Sequence, residues 1–487
     1  MHSTLAALLG LLLLCASETL GDRVVFVAAV SDSARILEIS TVFFRFGATA
    51  SAMRATHSET TRTRKATGRT DTVLSQRRTG YTQQTRLGGR LRTEYLYRRK
   101  IFRPNFVAAL NEVFFQSSDV DRCLLSAQAV ATAFMGKRDD YTDKEHCPVP
   151  IHASAVPYES DRLLNPDAPC QLYYDIWHEI ERSWVHNQFH LNHTNLFEII
   201  DPKVGVYSAS TSWMLYDALS SMQLNGKTWP SWVTEEIFST LEEVNNLAED
   251  FRNGINLQVA SINSFMTFTD LTYYGQRLST LVPRIRAGKL LWEVIERLKT
   301  ARTCHTHQDL DEERQDVGRP WQGKNKRCKV KFIGYSAHDT TLHALLAALG
   351  AKQAVLGDKV PRYNDAIVFE LFERDRSDGT FYVKANYWHF DQDKKVDFTE
   401  HITNCTGTEC SLEDFEARSL FYKPPDDFDQ WCKRGLGQYE QEKTEEDLRF
   451  PQENALNLTK LTRGAARNVS TSVALLLVAL FLCFASI

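Results

Sequence analysis

The chain lacks a strong net charge and lacks the short motifs of several common functional classes. Its 487 residues carry 57 Lys and Arg against 61 Asp and Glu, a formal net charge of −4. The overall field therefore gives no reason to expect a nucleic-acid partner, although arginines are dense between Arg54 and Arg103. No zinc-finger spacing, RNA-binding aromatic motif or P-loop accompanies them. We therefore interpret these arginines as solvated surface.

Long apolar runs are also scarce, and the two clearest lie at the ends of the chain. Leu5–Cys15 has the length of a signal-peptide core, so residues 1–21 are predicted to be a signal peptide. Val473–Ile487 is fifteen residues long, which is short for the roughly twenty that span a bilayer. With Gly464–Ala466 as a small-residue site, this tail predicts a lipid-anchor signal, and a transmembrane anchor stays open. Residues 441–472 are then a polar stalk.

Cysteines and glycosylation sequons fit a route through an oxidising compartment. Of ten cysteines, Cys15 and Cys483 fall in the end segments, which leaves an even number for disulfides. Cys304 and Cys328 flank a polar stretch, predicted to be a surface loop, and are expected to pair. The alternative for these two is a zinc site that includes His305 and His307. The predicted glycosylation acceptors are Asn192, Asn404, Asn457 and Asn468.

Apolar patterning in the first part of the chain predicts strands followed by a helix. Val24–Val30 and Ile39–Phe44 are rich in β-branched and aromatic residues, so both are predicted to be buried strands. Ser51–Thr72 has almost no apolar content and is predicted to be a loop. A helical pattern opens at Gly80, and Val113–Gln116 is a further strand candidate.

The middle of the chain changes to helical periodicity, from about Ser160 to Thr303. Strand patterns return at Val330–Gly334, and Ile367–Phe372 and Thr380–Tyr387 alternate as strands at a sheet edge would. Strands at both ends with helices between them indicate one α/β layer with a helical insertion. The predicted boundaries are residues 22–158 and 329–440 for the α/β domain and 159–328 for the helical lobe.

The most informative segment is Tyr335–Thr341, which places a His-Asp pair between a strand and a helix. The pair is His338 and Asp339, and the helix pattern runs over Leu342–Leu349. Backbone N–H groups at a helix N-terminus favour bound anions. This segment resembles the second signature of the histidine acid phosphatases, in which the pair supplies the proton donor for phosphate-ester cleavage.

Other segments carry the same resemblance over roughly residues 24 to 435. Ser118–Ala127 resembles the family's second helix entry, and Cys405–Leu412 resembles a short disulfide loop near its C-terminus. The resemblance implies the histidine phosphatase (phosphoglycerate mutase-like) fold, a central mixed sheet flanked by helices with an inserted, mainly helical lobe. It also implies disulfides between Cys405 and Cys410 and between Cys170 and Cys432.

The first signature of that family, Arg-His-Gly-x-Arg-x-Pro, carries the nucleophilic histidine, and no histidine of this chain follows an arginine. Two registers are open. In the register that we favour, Arg45 and Gly47 match, but Phe46 stands at the nucleophile's position and Thr49 replaces the second arginine. Arg45 would then be the one phosphate-binding arginine of this motif that is kept.

The other register begins at Ser31 and follows directly on the first predicted strand. Only Arg35 matches there, and Asp32 stands at the nucleophile's position. A further phosphate-binding arginine is expected where the chain has Gln116. His57, in the polar stretch, is a poor substitute nucleophile because a loop does not hold the geometry of attack.

The sequence thus predicts a membrane-tethered histidine acid phosphatase-like protein that has lost its nucleophile and with it most or all catalysis. The alternatives are an active acid phosphatase acting on phosphomonoesters in an acidic compartment, or a frame error in the gene model over residues 31–78 that hides a genuine motif. Expected partners are a phosphomonoester or other anionic ligand and a membrane, without nucleic acid, cofactor or metal; a homodimer stays open. The expected location is the secretory pathway, at the cell surface or in an endosomal or lysosomal lumen.

Overall fold

The computed structural model describes residues 23–32, 67–102, 112–136, 153–204, 211–224, 226–260, 268–313, 326–374 and 379–433. Residues up to Phe428 form one compact unit, and residues 429–487 belong to a second, of which 429–433 are described. Several predictions fall outside the described residues. They concern the signal peptide (1–21), the strand Ile39–Phe44, the stalk (441–472) and the tail (473–487).

Helices make up most of the first unit. The sheet-flanking helices are α1 (Thr67–Arg92, continued by a π-helical turn at Thr93–Arg98) and α2 (Asp121–Met135). The middle of the chain forms α3 (Gln171–Arg182), α4 (Trp184–Asn192), α5 (Thr194–Val204), α6 (Ser212–Leu224), α7 (Glu235–Arg252), α8 (Leu278–Arg286) and α9 (Gly288–Glu313). The last part forms α10 (Asp339–Leu349), α11 (Lys352–Leu356) and α12 (Leu412–Ser419).

One mixed sheet of eight described strands organises the unit. Its strands are β1 (Arg23–Asp32), β2 (Val113–Ser118), β3 (Ala153–Val156), β8 (Phe332–Ala337), β9 (Ala366–Glu373), β10 (Phe381–His389), β11 (Lys394–Asp397) and β12 (Cys410–Ser411). The order is β11-β10-β9-β1-β8-β2-β3, with β12 beside β10. Strands β1, β8, β2 and β3 are parallel, whereas β9 and β10 are antiparallel to their neighbours. Two small two-stranded sheets, β4 (Gln258–Ala260) with β5 (Phe268–Asp270) and β6 (Thr272–Tyr273) with β7 (Gln276–Arg277), lie among the middle helices.

Helices cover both faces of the large sheet, so its central strands are buried on both sides. Phe26 and Val30 of β1 point into a core with α9 and α10, while Val27 and Ala29 point into a core with α1 and α2. Each face buries its apolar side chains in one layer of helices. This confirms the predicted fold class, a mixed sheet flanked by helices.

Three local predictions are wrong. The stretch predicted as a loop up to Thr72 is helical from Thr67 onward, because a polar stretch is compatible with a helix as well as with a loop. Helix α9 continues through Cys304 to Glu313 instead of ending in a surface loop, and no Gly or Pro interrupts residues 289–317. Strands β9 and β10 lie inside the sheet rather than at its edge, since their residues are buried on both faces.

The disulfides tie these elements together. Cys304 at α9 is bonded to Cys328, so its sulfur is not available to a metal and the zinc alternative is wrong. Cys405 is bonded to Cys410, next to β12. Cys170 and Cys432 are each disulfide-bonded, and their pairing with one another stays a prediction.

Candidate functional site

Four parallel strands end at the same edge of the sheet and bring distant segments together. In the pairing register, Asp32 of β1 lies opposite Ala337 of β8, and Ser117 of β2 lies opposite Ser336 of β8. Ligands of open α/β sheets bind outside the carboxyl ends of the parallel strands. The residues that follow β8 and β2 are therefore the first candidates for a site.

His338 directly follows β8 and caps helix α10. Its backbone N–H donates to the Thr341 hydroxyl at 3.3 Å, and the residue is 6% exposed. The ring lies between two groups from the β2–α2 segment. Nε2 is 3.0 Å from the Ser118 hydroxyl, and Nδ1 is 3.3 Å from Nη2 of Arg122.

These two contacts assign the tautomer of the His338 ring. A guanidinium only donates hydrogen bonds, so Nδ1 must accept from Arg122. The ring proton is then on Nε2 and is donated to the oxygen of Ser118. The guanidinium of Arg122 beside this fixed ring makes the corner cationic, which suits the oxygen atoms of a phosphate group.

Asp339 is the first residue of helix α10. Its Oδ1 accepts a hydrogen bond from the backbone N–H of Thr340 at 2.9 Å, so the carboxyl group is held at the positive end of the helix. Asp339 and His338 both line the same cavity. The structure thus brings together the predicted His-Asp pair.

The end of β1 is fixed beside this corner. The backbone N–H of Asp32 donates to the carbonyl of Asp365 at 3.0 Å, and Nε2 of Gln84 donates to the Asp32 carbonyl at 3.0 Å. Nε2 of Gln84 also contacts Oδ1 of Asn364 at 2.6 Å. Asp32 is 2% exposed. The structure therefore places a buried carboxyl group at the end of the strand next to the one that precedes His338.

A large cavity opens from this edge toward the helical lobe. Its volume is about 940 Å³, and its lining includes Arg122, Tyr158, His338 and Asp339 near the sheet. The ring of Tyr158 meets the ring of His338 edge-on, with centroids 6.0 Å apart. Further residues come from helices α3, α6 and α7, which form the opposite walls. The cavity is therefore built from both the α/β layer and the inserted helices.

Asp167 supplies a partly exposed negative charge to the cavity, and the buried Arg286 balances it. Nη1 of Arg286 lies 2.8 Å from Oδ1 of Asp167. Burial by itself raises the pKa of the Asp167 carboxyl, but the guanidinium of Arg286, with smaller contributions from Arg252 and His338, lowers it overall. Asp167 therefore stays ionised as part of an ion pair, which favours a structural role over a role as an acid.

The remaining predicted positions are less informative. Gln116 is half-buried on β2, opposite Ser154 and Tyr335, and is not among the residues that line the cavity. Arg45, Phe46, Thr49, His57, Asn457 and Asn468 lie outside the described residues. Asn192 and Asn404 are exposed, so glycosylation there stays a prediction with an accessible acceptor.

Three site residues were not assigned a role from the sequence. Ser118, Arg122 and Cys123 all belong to the segment that resembled the family's second helix entry, yet their contacts with His338 depend on the pairing of β2 with β8. The buried thiol of Cys123 lies 3.4 Å from the Ala337 carbonyl and 3.9 Å from both ring nitrogens of His338. The Asp-Val-Asp-Arg sequence from Asp119 to Arg122 could have indicated this role for Arg122, because it places Arg122 in the first turn of α2.

Comparison with known proteins identifies relatives among phosphatases. The chain is 26% identical to rat lysosomal acid phosphatase over 314 residues, which are 62% of this chain and 60% of that protein. It is 25% identical to the human lysosomal acid phosphatase over 67% of this chain and 66% of that protein. It is also 25% identical to bovine prostatic acid phosphatase, over 63% of this chain and 69% of that protein. The match thus spans about 60% of the length of the rat protein.

Solved structures share the fold at lower identity. Hafnia alvei phytase in complex with tartrate superposes with a TM-score of 0.50 at 13% identity, over 83% of this chain and 99% of that one. Klebsiella phytase superposes equally well, over 84% of this chain and 98% of that one. The family model described as "Histidine phosphatase superfamily (branch 2)" matches residues 40–387. The chain therefore belongs to the histidine phosphatase superfamily, branch 2.

Proposed function

We propose that this protein binds phosphate-bearing ligands in the cavity at His338 and Asp339 and does not turn them over at an enzymatic rate. The cavity corner supports binding, because the guanidinium of Arg122 lies beside His338, the residue that caps the N-terminus of α10. The observation that carries the loss of catalysis is the carboxyl group of Asp32 at the end of β1. It stands at the strand end where an attacking imidazole is needed.

Histidines elsewhere in the lining do not replace that nucleophile. Besides His338, the described lining includes His343, whose Nε2 is 3.0 Å from Oδ1 of the buried Asp250. Lys352 contacts the same carboxylate at 2.6 Å. An imidazole whose Nε2 is held by a buried carboxylate is positioned for structure, while nucleophilic attack needs a ring nitrogen aimed at phosphorus.

Two observations support different registers of the degenerate motif. The family model begins its match at residue 40, which includes Arg45 and Phe46 and leaves out β1. Against this, β1 ends at Asp32, next to the strand that precedes His338. We adopt the Asp32 register. Ligands bind outside the carboxyl ends of the parallel strands, and the residues at the end of β1 are the ones that lie there beside β8.

A carboxylate at this position opposes the chemistry in two ways. When ionised, Asp32 puts a like charge beside the strand that precedes His338, close to where a phosphate dianion would bind. Its side chain is also buried and does not line the cavity. Loss of the nucleophile from a catalytic set can cost on the order of 10⁶ in rate. An active acid phosphatase is the second candidate, favoured only by the retained His-Asp pair at the cavity.

The relatives named lysosomal acid phosphatases support a lysosomal or other secretory compartment for this chain. The Cys304–Cys328 and Cys405–Cys410 disulfides fit that environment. Across the described residues, no helix has the length and apolar character needed to cross a membrane. Tethering through residues 473–487 stays part of the proposal and rests on the sequence alone.

Restoring the motif in each register tests the proposal. One full-length variant carries Ser31→Arg, Asp32→His and Ser33→Gly; the other carries Phe46→His and Thr49→Arg. Hydrolysis of p-nitrophenyl phosphate is measured for both at pH 5, with and without Gln116→Arg. We expect a gain in the first variant and none in the second.

A gain in the second variant alone would move the nucleophile's position to Phe46. If neither variant gains activity and both still bind inorganic phosphate, the missing nucleophile is not what prevents hydrolysis by this chain.

A further inference from the structure

One face of helix α7 (Glu235–Arg252) is polar although it is largely buried. Glu242, Asn245, Asn246 and Glu249 follow the i, i+3, i+4, i+7 spacing that places residues on one side of a helix, and all four line the cavity. We call these four residues the α7 strip. A buried helix face is usually apolar, so the strip calls for an explanation.

Three oxygen atoms of the α7 strip are buried acceptors. Asn245 is 3%, Asn246 9% and Glu249 6% exposed. Oδ1 of both asparagines and Oε2 of Glu249 have no hydrogen-bond partner among the described residues. A buried acceptor without a donor is unfavourable, and a ligand that brings donors into the cavity removes this cost.

The charge of the strip is only partly balanced. Nη1 of Arg252 lies 3.6 Å from Oε1 of Glu249, whereas Oε2 of Glu249 has no hydrogen-bond partner among the described residues. Glu242 accepts a hydrogen bond from the Tyr216 hydroxyl at 3.0 Å and has no cation within salt-bridge distance among the described residues. Carboxylates outnumber lysines and arginines in the described lining as a whole. Such a wall repels a ligand with many phosphate groups and attracts a cation.

Aromatic rings complete this part of the cavity. Tyr173 and Trp177 of α3 and Trp213 and Tyr216 of α6 line it, and the ring of Tyr216 stacks on Phe238 with centroids 5.7 Å apart. Aromatic faces bind both apolar groups and cations, the latter through the ring quadrupole. Donors, positive charge and an apolar or aromatic body are therefore what this wall recognises.

We propose that the ligand is a phosphomonoester whose organic part is an aromatic or apolar amine, with the ammonium group bound by the α7 strip. This rests on the proposed function, in which Arg122 holds the phosphate beside His338. The ammonium donates to Oε2 of Glu249 and to the asparagine oxygens, and the apolar body packs on the rings of α3 and α6.

A matched pair of probes tests the proposal. Pyridoxamine 5′-phosphate and pyridoxine 5′-phosphate share a ring and a phosphate and differ in an aminomethyl against a hydroxymethyl group. Fluorescence titration of the full-length protein gives a Kd for each probe. We expect the amine to bind at least about tenfold more tightly, as one charge-assisted hydrogen bond supplies. The double variant Glu242→Gln, Glu249→Gln should reduce this preference to about onefold.

Glu236→Gln is the control, because Glu236 is an exposed residue of the same helix that does not line the cavity, and it should keep the preference. Should the double variant fail to fold, Asn246→Asp replaces it, and the added carboxylate should increase the preference. Equal affinities for the two probes, or a preference that the strip variants leave unchanged, would overturn the proposal while phosphate binding stands. Failure of both probes and of inorganic phosphate to bind would overturn the proposed function as well.

Discussion

Arg122→Met is the substitution that most directly probes the phosphate corner. Arg122 lies in the first turn of α2, with Nη2 3.3 Å from Nδ1 of His338, and it lines the cavity. Methionine keeps an unbranched apolar stem and removes the charge and all five donors. The side chain is only partly buried, so we expect little change in the thermal unfolding midpoint.

The expected loss follows from the contact that the guanidinium would make. A hydrogen bond to a charged group contributes roughly 1.5–3 kcal/mol, which corresponds to a roughly 10- to 150-fold weaker Kd for phosphate. Isothermal titration calorimetry with inorganic phosphate measures this directly. The matched control is Arg362→Met, since Arg362 lines the same cavity but is 54% exposed and paired with Asp391. Screening by solvent should hold that change to less than about threefold.

The reasoning is refuted if Arg122→Met binds phosphate as tightly as the unmodified chain. It is also refuted if both arginine variants lose affinity equally, because the cavity as a whole would then attract the anion without a specific corner. A loss confined to Arg122→Met places the phosphate beside His338.

Three further predictions concern stability. Gly88→Ala should lower the free energy of unfolding by about 1–3 kcal/mol, since the new Cβ would lie 2.8 Å from Cβ of Ala133 where α1 crosses α2. Its control is Gly89→Ala, which has open space around the new Cβ. That variant should be neutral or mildly stabilising when the thermal unfolding of both is measured. Burial, helped by His190, lowers the pKa of His186. The contribution of the neutral ring to stability is therefore fully present above the unfolded pKa of about 6.5 and declines as the pH falls below it. The difference between the thermal unfolding midpoints at pH 7.5 and at pH 5.0 should therefore be smaller in His186→Phe than in the unmodified chain. Removing the Cys304–Cys328 bridge, which spans 24 positions, should cost about 3 kcal/mol in the loop-entropy relation.

The last two predictions have controls within the same unit. His178→Phe alters a histidine that is 64% exposed at its side chain, and the pH dependence should then match that of the unmodified chain. Removing the Cys405–Cys410 bridge, with a separation of 5, should cost only about 2 kcal/mol. An unchanged pH dependence in His186→Phe, or a larger cost for the shorter bridge, would contradict the respective argument.

Much of the fold could be predicted because apolar periodicity and the strand-to-helix signature are local. Strand β1 contains the predicted Val24–Val30. Strand β8 begins two residues and ends three residues later than predicted, and helix α10 begins three residues earlier, at Asp339. The extent of α1 and α9 could not be predicted, because a polar stretch of sequence is compatible with both a loop and a helix. The interior position of β9 depends on its pairing with β1, which no local pattern encodes.

Only those site residues that lie together in one sequence segment could be predicted. His338 and Asp339 share a signature, whereas Ser118 and Arg122 reach the ring of His338 only because β2 and β8 are neighbours. The polar face of α7 is visible as a spacing in the sequence. That this polar face is buried and lines the cavity can be seen only in the folded chain.

The central claim is that this cavity holds phosphate without cleaving its esters. It is tested most directly by the turnover of p-nitrophenyl phosphate between pH 4 and 6, measured for the full-length chain against a His338→Ala variant. The account predicts no hydrolysis above that variant, together with measurable binding of inorganic phosphate by the unmodified chain. A turnover of about 1 per second, within the usual enzyme range and abolished by His338→Ala, would contradict it.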